Sequence, residues 1–552
     1  MKNKNIFLIL SIFIALLFYL KPTKLSQPTQ TPTPIKISES NNNSVLTVNE
    51  TTPKSTSPRE RTATNSPNKQ KPNLTNTSPT LKQAPQTPQI PYYILATTND
   101  PYLTNNWGMQ KVQANRAWDL TTGSSNVSVA VIDTGFELNH EDLASQWLQN
   151  PNEIGQTTNS DVCWTGITAD KSLNNCDDDG NGYIDDYRGY DFANLDNNPQ
   201  AGQVNPSGEA TQHGTMVTGV VGATANNNKG SAGIAQNIKI LPLQVFTDDG
   251  EAYTNAIVAA IDYATDLNVN VINLSLGTNQ YDAALLTAIN RAQTNGTLVV
   301  AASGNCALND EEFCNTLAAP GRMTYPALYP QTLAVGATDS SDERANYSSY
   351  GPQLDVVAPG SAIGPLPIYN NGSTTTYATA SGTSFASPLV AGLAALLVSQ
   401  NSNISTTELN EIFSNSTDTT PQMNSQSFTA EYGFGRINAH KSTLLGLAKT
   451  QSNLLGSELT QPSLSPISKL WRASSSVVAN DEWLLFGCRT YQTDICSVSL
   501  TKSGIKYQQN SLSKSDQIKY IFIKGSSMAS NGSWAVTVHN QNYATSLGSI
   551  SK

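Results

Sequence analysis

Three observations place this 552-residue chain in the α/β class, with a doubly wound parallel sheet, a small all-β domain after it and a disordered linker before it. The first is a short, β-branched, nearly all-apolar run, Val127–Ile132, with further strand-like runs at Val269–Gly277 and Gly296–Ala302. Runs without polar alternation suit strands buried on both faces, as in a parallel sheet. The second is that apolar segments of helical spacing, Asn255–Leu267 and Ala283–Thr294, alternate with those runs, the pattern of strand–helix–strand units. The third is that chemically capable residues cluster where the runs end or helices begin, the place where open α/β sheets gather function.

The chain begins with Lys2 and Lys4 ahead of a mostly apolar run, Ile6 to Leu20. This resembles the charged and apolar regions of a secretory signal. The run is short for a full span, and Lys21-Pro22-Thr23-Lys24 follows it in place of an A-x-A cleavage pattern. Residues 1–21 are therefore a cleaved signal or an uncleaved membrane anchor, the missing cleavage pattern favouring the anchor. Residues 22–91 are Pro, Thr, Ser, Asn, Gln and Lys with hardly any aromatic residue, a composition that cannot bury a core and predicts a disordered spacer. An ordered domain is expected over 92–447, then a polar linker over 448–466. Over 467–552, short strands at Val477-Val478, Trp483–Phe486, Ser497–Leu500, Lys519–Ile523 and Trp534–Val538 predict a small β-sandwich. A stability appendage and a module that binds substrate or a surface have equal claim to it.

Charged residues make up 13% of the chain and the net charge is −10. That balance argues against a nucleic-acid partner and is compatible with bound cations, because much of the acid is clustered. The six cysteines fall into close pairs, Cys163/Cys176, Cys306/Cys314 and Cys488/Cys496. None has zinc-ligand spacing backed by histidine. Each pair lies in a polar, loop-like segment, so three disulfides in an oxidising compartment are expected, which puts the bulk of the chain outside the cytoplasm.

The stretch that organises the chemistry is Ser381-Gly382-Thr383-Ser384, running into the Ala-rich apolar segment Leu389–Leu397. The segment reads as a buried helix. A serine at its start sits where backbone N–H groups are unpaired and the helix dipole is positive, so Ser384 suits a nucleophile whose own N–H helps hold an oxyanion. A hydroxyl still needs a base. His213 supplies one at the start of a small-residue helix reaching Thr224. Asp133, ending the Val127–Ile132 run, can fix the imidazole tautomer, and Asn305 can complete an oxyanion hole. Asp133-Thr134-Gly135 alone would also suit an aspartic protease, but that chemistry wants a second such triplet and there is none. No second Gly follows Gly382-x-Ser384, so the nucleophile elbow of α/β-hydrolases is absent.

Taken together, Val131–Gly135, His213-Gly214-Thr215, Asn273–Gly277, Ala302–Asn305, Asp355–Gly360, Ser381–Ser384 and Gly433–Ala439 resemble the subtilisin-like (S8) serine peptidases, nearest to their thermitase-like branch. The likeness covers about residues 98–447. It implies a serine endopeptidase acting on protein or peptide substrates through Asp133, His213 and Ser384, with Asn305 as oxyanion donor. It also implies that substrate adds as a strand along Ser275-Leu276-Gly277, that Ala302 and Ser303 wall the P1 pocket, and that Thr324 floors it, favouring a medium, uncharged, apolar P1 residue. Met216 stands where the family usually has a second His, and Phe385 where it usually has Met. Secreted members usually carry a folded inhibitory propeptide, and residues 22–91 lack the apolar content for one. The rival reading is a catalytically idle binding or adhesion protein on the same fold, against which the four intact site residues count.

Calcium is expected at three places. Asp177, Asp179, Asn181 and Asp185 have the D-x-D-x-N-G-x-x-D spacing of a calcium loop, although Arg188 stands where an EF-hand has its bidentate Glu. A further carboxylate is needed, Asp186 being a candidate. The resemblance implies two more sites: one from Asp191, Asp196, Asn198 and Gln200, and a tight N-terminal one from Asp100, Asp142 and Asn227 with the backbone oxygens of Thr224, Lys229 and Ser231.

Overall fold

The computed structural model describes residues 98–201, 213–247, 250–308, 313–367, 377–457, 468–471, 483–489, 497–502, 505–510, 518–524, 527–528, 533–539 and 544–551. The expectations for residues 1–21, for 22–91 and for Val477-Val478 lie outside these residues, as does Cys496.

Two short helices, α1 (Trp107–Lys111) and α2 (Ala114–Trp118), precede the first strand, β1 (Ser128–Asp133). Next come β2 (Tyr190–Asp191), α3 (His213–Gly222), β3 (Lys239–Gln244), α4 (Thr254–Asp266), β4 (Val271–Leu274), α5 (Ala283–Thr294), β5 (Leu298–Ala302), β6 (Leu333–Thr338) and β7 (Val356–Pro359). Strands β1 to β7 form one seven-stranded sheet in the order β2-β3-β1-β4-β5-β6-β7, and every neighbouring pair is parallel. A hairpin of β8 (Ile363–Pro367) and β9 (Tyr377–Ala380) leads to α6 (Thr383–Gln400), α7 (Thr406–Asn415) and α8 (Ala439–Ser457).

The uninterrupted apolar character of the strands has a simple cause. Val129 and Val131 of β1 face one core and Ala130 and Ile132 face the other, as do Leu298 and Val300 against Val299 and Ala301 of β5. Side chains alternate across a strand, so a sheet covered on both faces favours apolar residues at most positions. Helices α3, α6 and α8 cover the first face, and α4 and α5 the second. Helix α6 is long and apolar enough to span a membrane, yet it is almost wholly enclosed, as its Ala-rich run predicts.

Helix α8 continues to Ser457, into the stretch read as a linker from residue 448. Leu444, Leu445 and Ala448 anchor it in the core, and no proline breaks it. Beyond it lie two antiparallel sheets. Strands β10 (Ser468–Trp471), β11 (Trp483–Arg489) and β14 (Ile518–Lys524) form one, in the order β10-β11-β14. Strands β12 (Ser497–Lys502), β13 (Ile505–Asn510), β15 (Ser533–His539) and β16 (Ala544–Ser551) form the other, in the order β13-β12-β15-β16. Leu485 and Phe522 join the core beneath α8, and the Lys441 ammonium lies 3.8 Å from the Trp483 ring centroid. An amphipathic lysine covering an aromatic face in this way is a favourable packing contact.

Candidate active site and acidic loops

Asp133 is the last residue of β1, Ser275 follows β4, and Asn305 lies just past β5. These neighbouring strands are parallel, so their carboxyl ends share one edge of the sheet, where α3 and α6 also begin. His213 is the first residue of α3. Its Nδ1 lies 2.7 Å from Asp133 Oδ1, with both side chains about 1% exposed. The same Asp133 oxygen accepts the Thr134 backbone N–H at 2.7 Å, which fixes the carboxylate while the Thr134 hydroxyl accepts from Gly214 N–H at 3.0 Å. Gly214 lets α3 approach this closely, since a Cβ there would lie 2.4 Å from the Gly135 carbonyl oxygen.

Ser384 is the second residue of α6 and is buried. Its hydroxyl donates to the Ser275 carbonyl at 3.2 Å, and its own carbonyl accepts the Ser275 hydroxyl at 2.8 Å. Asn273 donates to that Ser275 hydroxyl at 2.9 Å and accepts from Ser387 at 2.8 Å, so β4 and the first turn of α6 are bound together around the serine. The Phe385 ring packs 5.5 Å from the His213 ring. Phe385 and Met216 are both buried, so each departure from the family pattern is absorbed as packing. Asn305 Oδ1 accepts from the Thr383 N–H at 3.0 Å and hydroxyl at 2.9 Å. Engaging the oxygen this way fixes which end of the amide is the donor end.

A cavity beside Ser384 is lined by Ser275, Leu276, Gly277, Ala302, Gly304, Asn305, Phe313, Thr324 and Thr383. Ser303 is not among them, because its hydroxyl turns inward to donate to the Ser349 carbonyl at 2.8 Å. Its carbonyl accepts the N–H of Thr324, which does line the cavity, at 3.0 Å. Thr324 packs so closely on Gly277 that a Cβ there would come within 2.5 Å of its hydroxyl. Phe313, which the motif reading did not include, reaches the cavity because the Cys306–Cys314 disulfide draws its segment back toward Asn305. The Cys163–Cys176 disulfide is also formed.

The N-terminal acidic group is assembled from distant segments. Asp142 accepts from Asn227 Nδ2 at 2.7 Å and from the Tyr377 hydroxyl at 3.1 Å, while Asp100 accepts the N–H groups of Asn226 and Asn227 at 3.0 and 3.2 Å. Thr224 N–H donates to the Asp142 carbonyl at 2.8 Å, Tyr102 N–H donates to the Gly230 carbonyl at 2.9 Å, and Lys229 N–H donates to Asn227 Oδ1 at 2.9 Å. Ser231 is buried against Asn106. The Lys229 ammonium pairs with Glu141, away from the carbonyls. Burial pushes the Asp142 carboxyl up to about 6, with Asn227 and Tyr377 opposing the rise. In the second group, Asp191 is buried and accepts from Ala193 and Asn194, and Asp196 accepts from Asn198 N–H at 2.9 Å. Gln200 spends its side-chain oxygen on Leu138 N–H at 3.1 Å.

The 177–185 loop is built differently from its spacing. Asp177, Asp179 and Glu153 bring carboxylate oxygens within 4.8 Å of one another. Asn181 Nδ2 donates to Asp186 at 2.8 Å and Asn150 Nδ2 bridges Asp179 and Asp186. Asp185 turns the other way, both oxygens accepting the Asn175 N–H at 3.0 and 3.2 Å. Glu153 lies too far upstream for a loop motif to include it. Burial holds its carboxyl up to about 7, against the N–H groups of Asp178 and Asp179.

The subtilase family model matches residues 124–435, the span that holds Asp133, His213, Asn305 and Ser384. Thermitase from Thermoactinomyces vulgaris is 35% identical over 348 residues, 63% of this chain and 99% of that protein. A thermophilic serine proteinase from Bacillus sp. strain AK1 is 36% identical over 310 residues, 56% of this chain and 61% of its own. Subtilisin DY from Bacillus licheniformis is 32% identical over 303 residues, 55% of this chain and 88% of its own. With that match running through the sheet edge just described, the chain belongs to the subtilase family, peptidase family S8, and is a subtilisin-like serine endopeptidase.

Proposed function

We propose that the chain hydrolyses peptide bonds through Ser384, His213 and Asp133 by way of an acyl-enzyme. The observation that carries this is the 2.7 Å bond between two almost fully buried side chains, His213 and Asp133, beside a serine at a helix start. The Ser384 hydroxyl leaves the Ser275 carbonyl for His213 Nε2, gives up its proton there, and Oγ attacks the scissile carbonyl carbon. Asp133, at Nδ1, stabilises the imidazolium. Negative charge on the carbonyl oxygen is met by Asn305 Nδ2 and the Ser384 N–H at the positive end of α6. The C–N bond breaks as His213 passes its proton to the leaving amine. Water, deprotonated by His213, then releases the acid and restores the serine.

The same reading gives a medium, uncharged, apolar P1 residue, with Thr324 as the floor of a pocket whose lining includes Leu276, Ala302 and Phe313. Calcium is the structural cation we assign to the acidic loops. The donors are all oxygen, the set that suits calcium, and Glu153 leaves a buried carboxylate oxygen without a donor among the described residues. Bound there, calcium would neutralise the clustered acids and tie the loops together. The disulfides Cys163–Cys176 and Cys306–Cys314 support an extracytoplasmic site of action, secreted or tethered by residues 1–21. The division into a peptidase domain to about residue 447 and a β domain after 467 belongs to the same proposal. The test is cleavage of a peptide library by the full chain. Endoproteolysis lost in Ser384→Ala is expected; equal cleavage by the variant would overturn the mechanism.

A further inference from the structure

We infer that Glu153 is a ligand of the 177–185 calcium loop, alongside Asp177 and Asp179, in the place the spacing assigns to Asp185. The inference rests on the reading that this loop binds calcium and changes which residues do it. Glu153 is fully buried. Its Oε1 accepts the backbone N–H groups of Asp178 at 2.7 Å and Asp179 at 3.1 Å, which aims the carboxylate at the loop. Its Oε2 is enclosed and has no hydrogen-bond donor among the described residues. A buried carboxylate oxygen left in that state is costly unless a cation meets it. Lys171, a cation of the same region, is paired with Asp161 at 2.9 Å.

Distances agree with a shared ion. Oxygens each 2.3–2.6 Å from one calcium stand at most about 5 Å apart, and one carboxylate oxygen from each of Glu153, Asp177 and Asp179 lies within 4.8 Å of the other two. Asp186 flanks the group, held by Asn150 and Asn181. Asp185 instead clamps the incoming chain at Asn175, next to the Cys163–Cys176 bridge. Calcium bound in this way fastens the segment around residue 153 to the loop, a cross-link that a self-contained loop would not make.

The test counts calcium by equilibrium dialysis and follows melting of the full chain carrying Ser384→Ala, which prevents self-digestion. Glu153→Gln keeps an acceptor for Asp178 and Asp179 while removing the charge. It should lose one calcium per chain, or more than tenfold in affinity at that site, as should Asp177→Asn; Asp185→Asn should keep the ion. In excess chelator, Glu153→Gln should melt at or above the parent, because it removes a buried charge. If Asp177→Asn lost the ion and Glu153→Gln kept it, Glu153 would not be a ligand while the calcium loop stood. If neither lost it, both readings would fall. Loss of the ion in Asp185→Asn would restore the assignment by spacing, and a chelator-treated Glu153→Gln melting far below the parent would make Glu153 a structural residue only.

Discussion

Replacing Asp133 by Asn isolates the charge of the buried carboxylate. The variant keeps the shape of the side chain, and its carbonyl oxygen can still accept the Thr134 N–H that now donates at 2.7 Å. What it loses is attraction between a carboxylate and the imidazolium formed when His213 takes the serine proton. At the observed 2.7 Å, and with an effective dielectric constant of about 20, Coulomb's law gives about 6 kcal/mol. Each 1.36 kcal/mol is tenfold in rate, so kcat should fall by about 10⁴, the scale expected of such triads. The assay is steady-state hydrolysis of a chromogenic peptide by the full chain, with a melting curve to establish that the variant is folded. A folded Asp133→Asn protein retaining more than a tenth of the activity would refute the role given to the carboxylate.

Asn305→Ala should still be labelled at Ser384 by a fluorophosphonate while losing on the order of 10²–10³ in kcat, the scale of one oxyanion donor; unchanged kcat would remove Asn305 from the oxyanion hole. Asp355 offers a pH test. Burial raises its carboxyl to about 6, the Ala334 N–H opposing. A raised acid stabilises the folded state most below its unfolded pKa near 3.8, and that contribution drains away as pH rises through about 6. Asp355→Asn should therefore gain stability relative to the parent by roughly 2 kcal/mol between pH 4 and 7.5, read from denaturant melts; a constant difference across that range would contradict it. Chelation should lower the melting temperature and speed self-digestion, calcium restoring both better than magnesium. The loss is worth roughly 2.7 kcal/mol if calcium stood at a hundred times its Kd. Asp142→Ala should remove much of that response, since Asp142 holds Tyr377 and Asn227, the latter in the same segment whose N–H groups Asp100 accepts; a melting curve indifferent to chelator would count against all the calcium sites.

The parallel sheet was readable because its physics leaves a plain trace. Strands covered on both faces, such as β1 (Ser128–Asp133), bury nearly every side chain and so are mostly apolar, and the helices between them keep their own period. Asp133, His213, Asn305 and Ser384 were readable because each ends a strand or lies at a helix start. What escaped depends on contacts between distant segments. Glu153 and Asn150 enter the acidic loop only through the fold. Tyr377 reaches Asp142 from the β8–β9 hairpin, and Phe313 reaches the pocket through a disulfide. Asp185 fits the loop spacing, yet its carboxylate satisfies the Asn175 backbone instead. In the C-terminal sheets, β10, β13 and β16 went unread because Ser468–Trp471, Ile505–Asn510 and Ala544–Ser551 carry too few apolar residues for an alternating pattern to stand out.

The central claim is that Ser384 is the nucleophile and His213 its base. It is tested most directly by treating the full chain with a fluorophosphonate and locating the adduct by mass spectrometry of its peptides. The account predicts one adduct, on Ser384, formed by the parent protein and lost or slowed by several orders of magnitude in His213→Ala. An adduct on another serine, or equal labelling of Ser384 in His213→Ala, would contradict it.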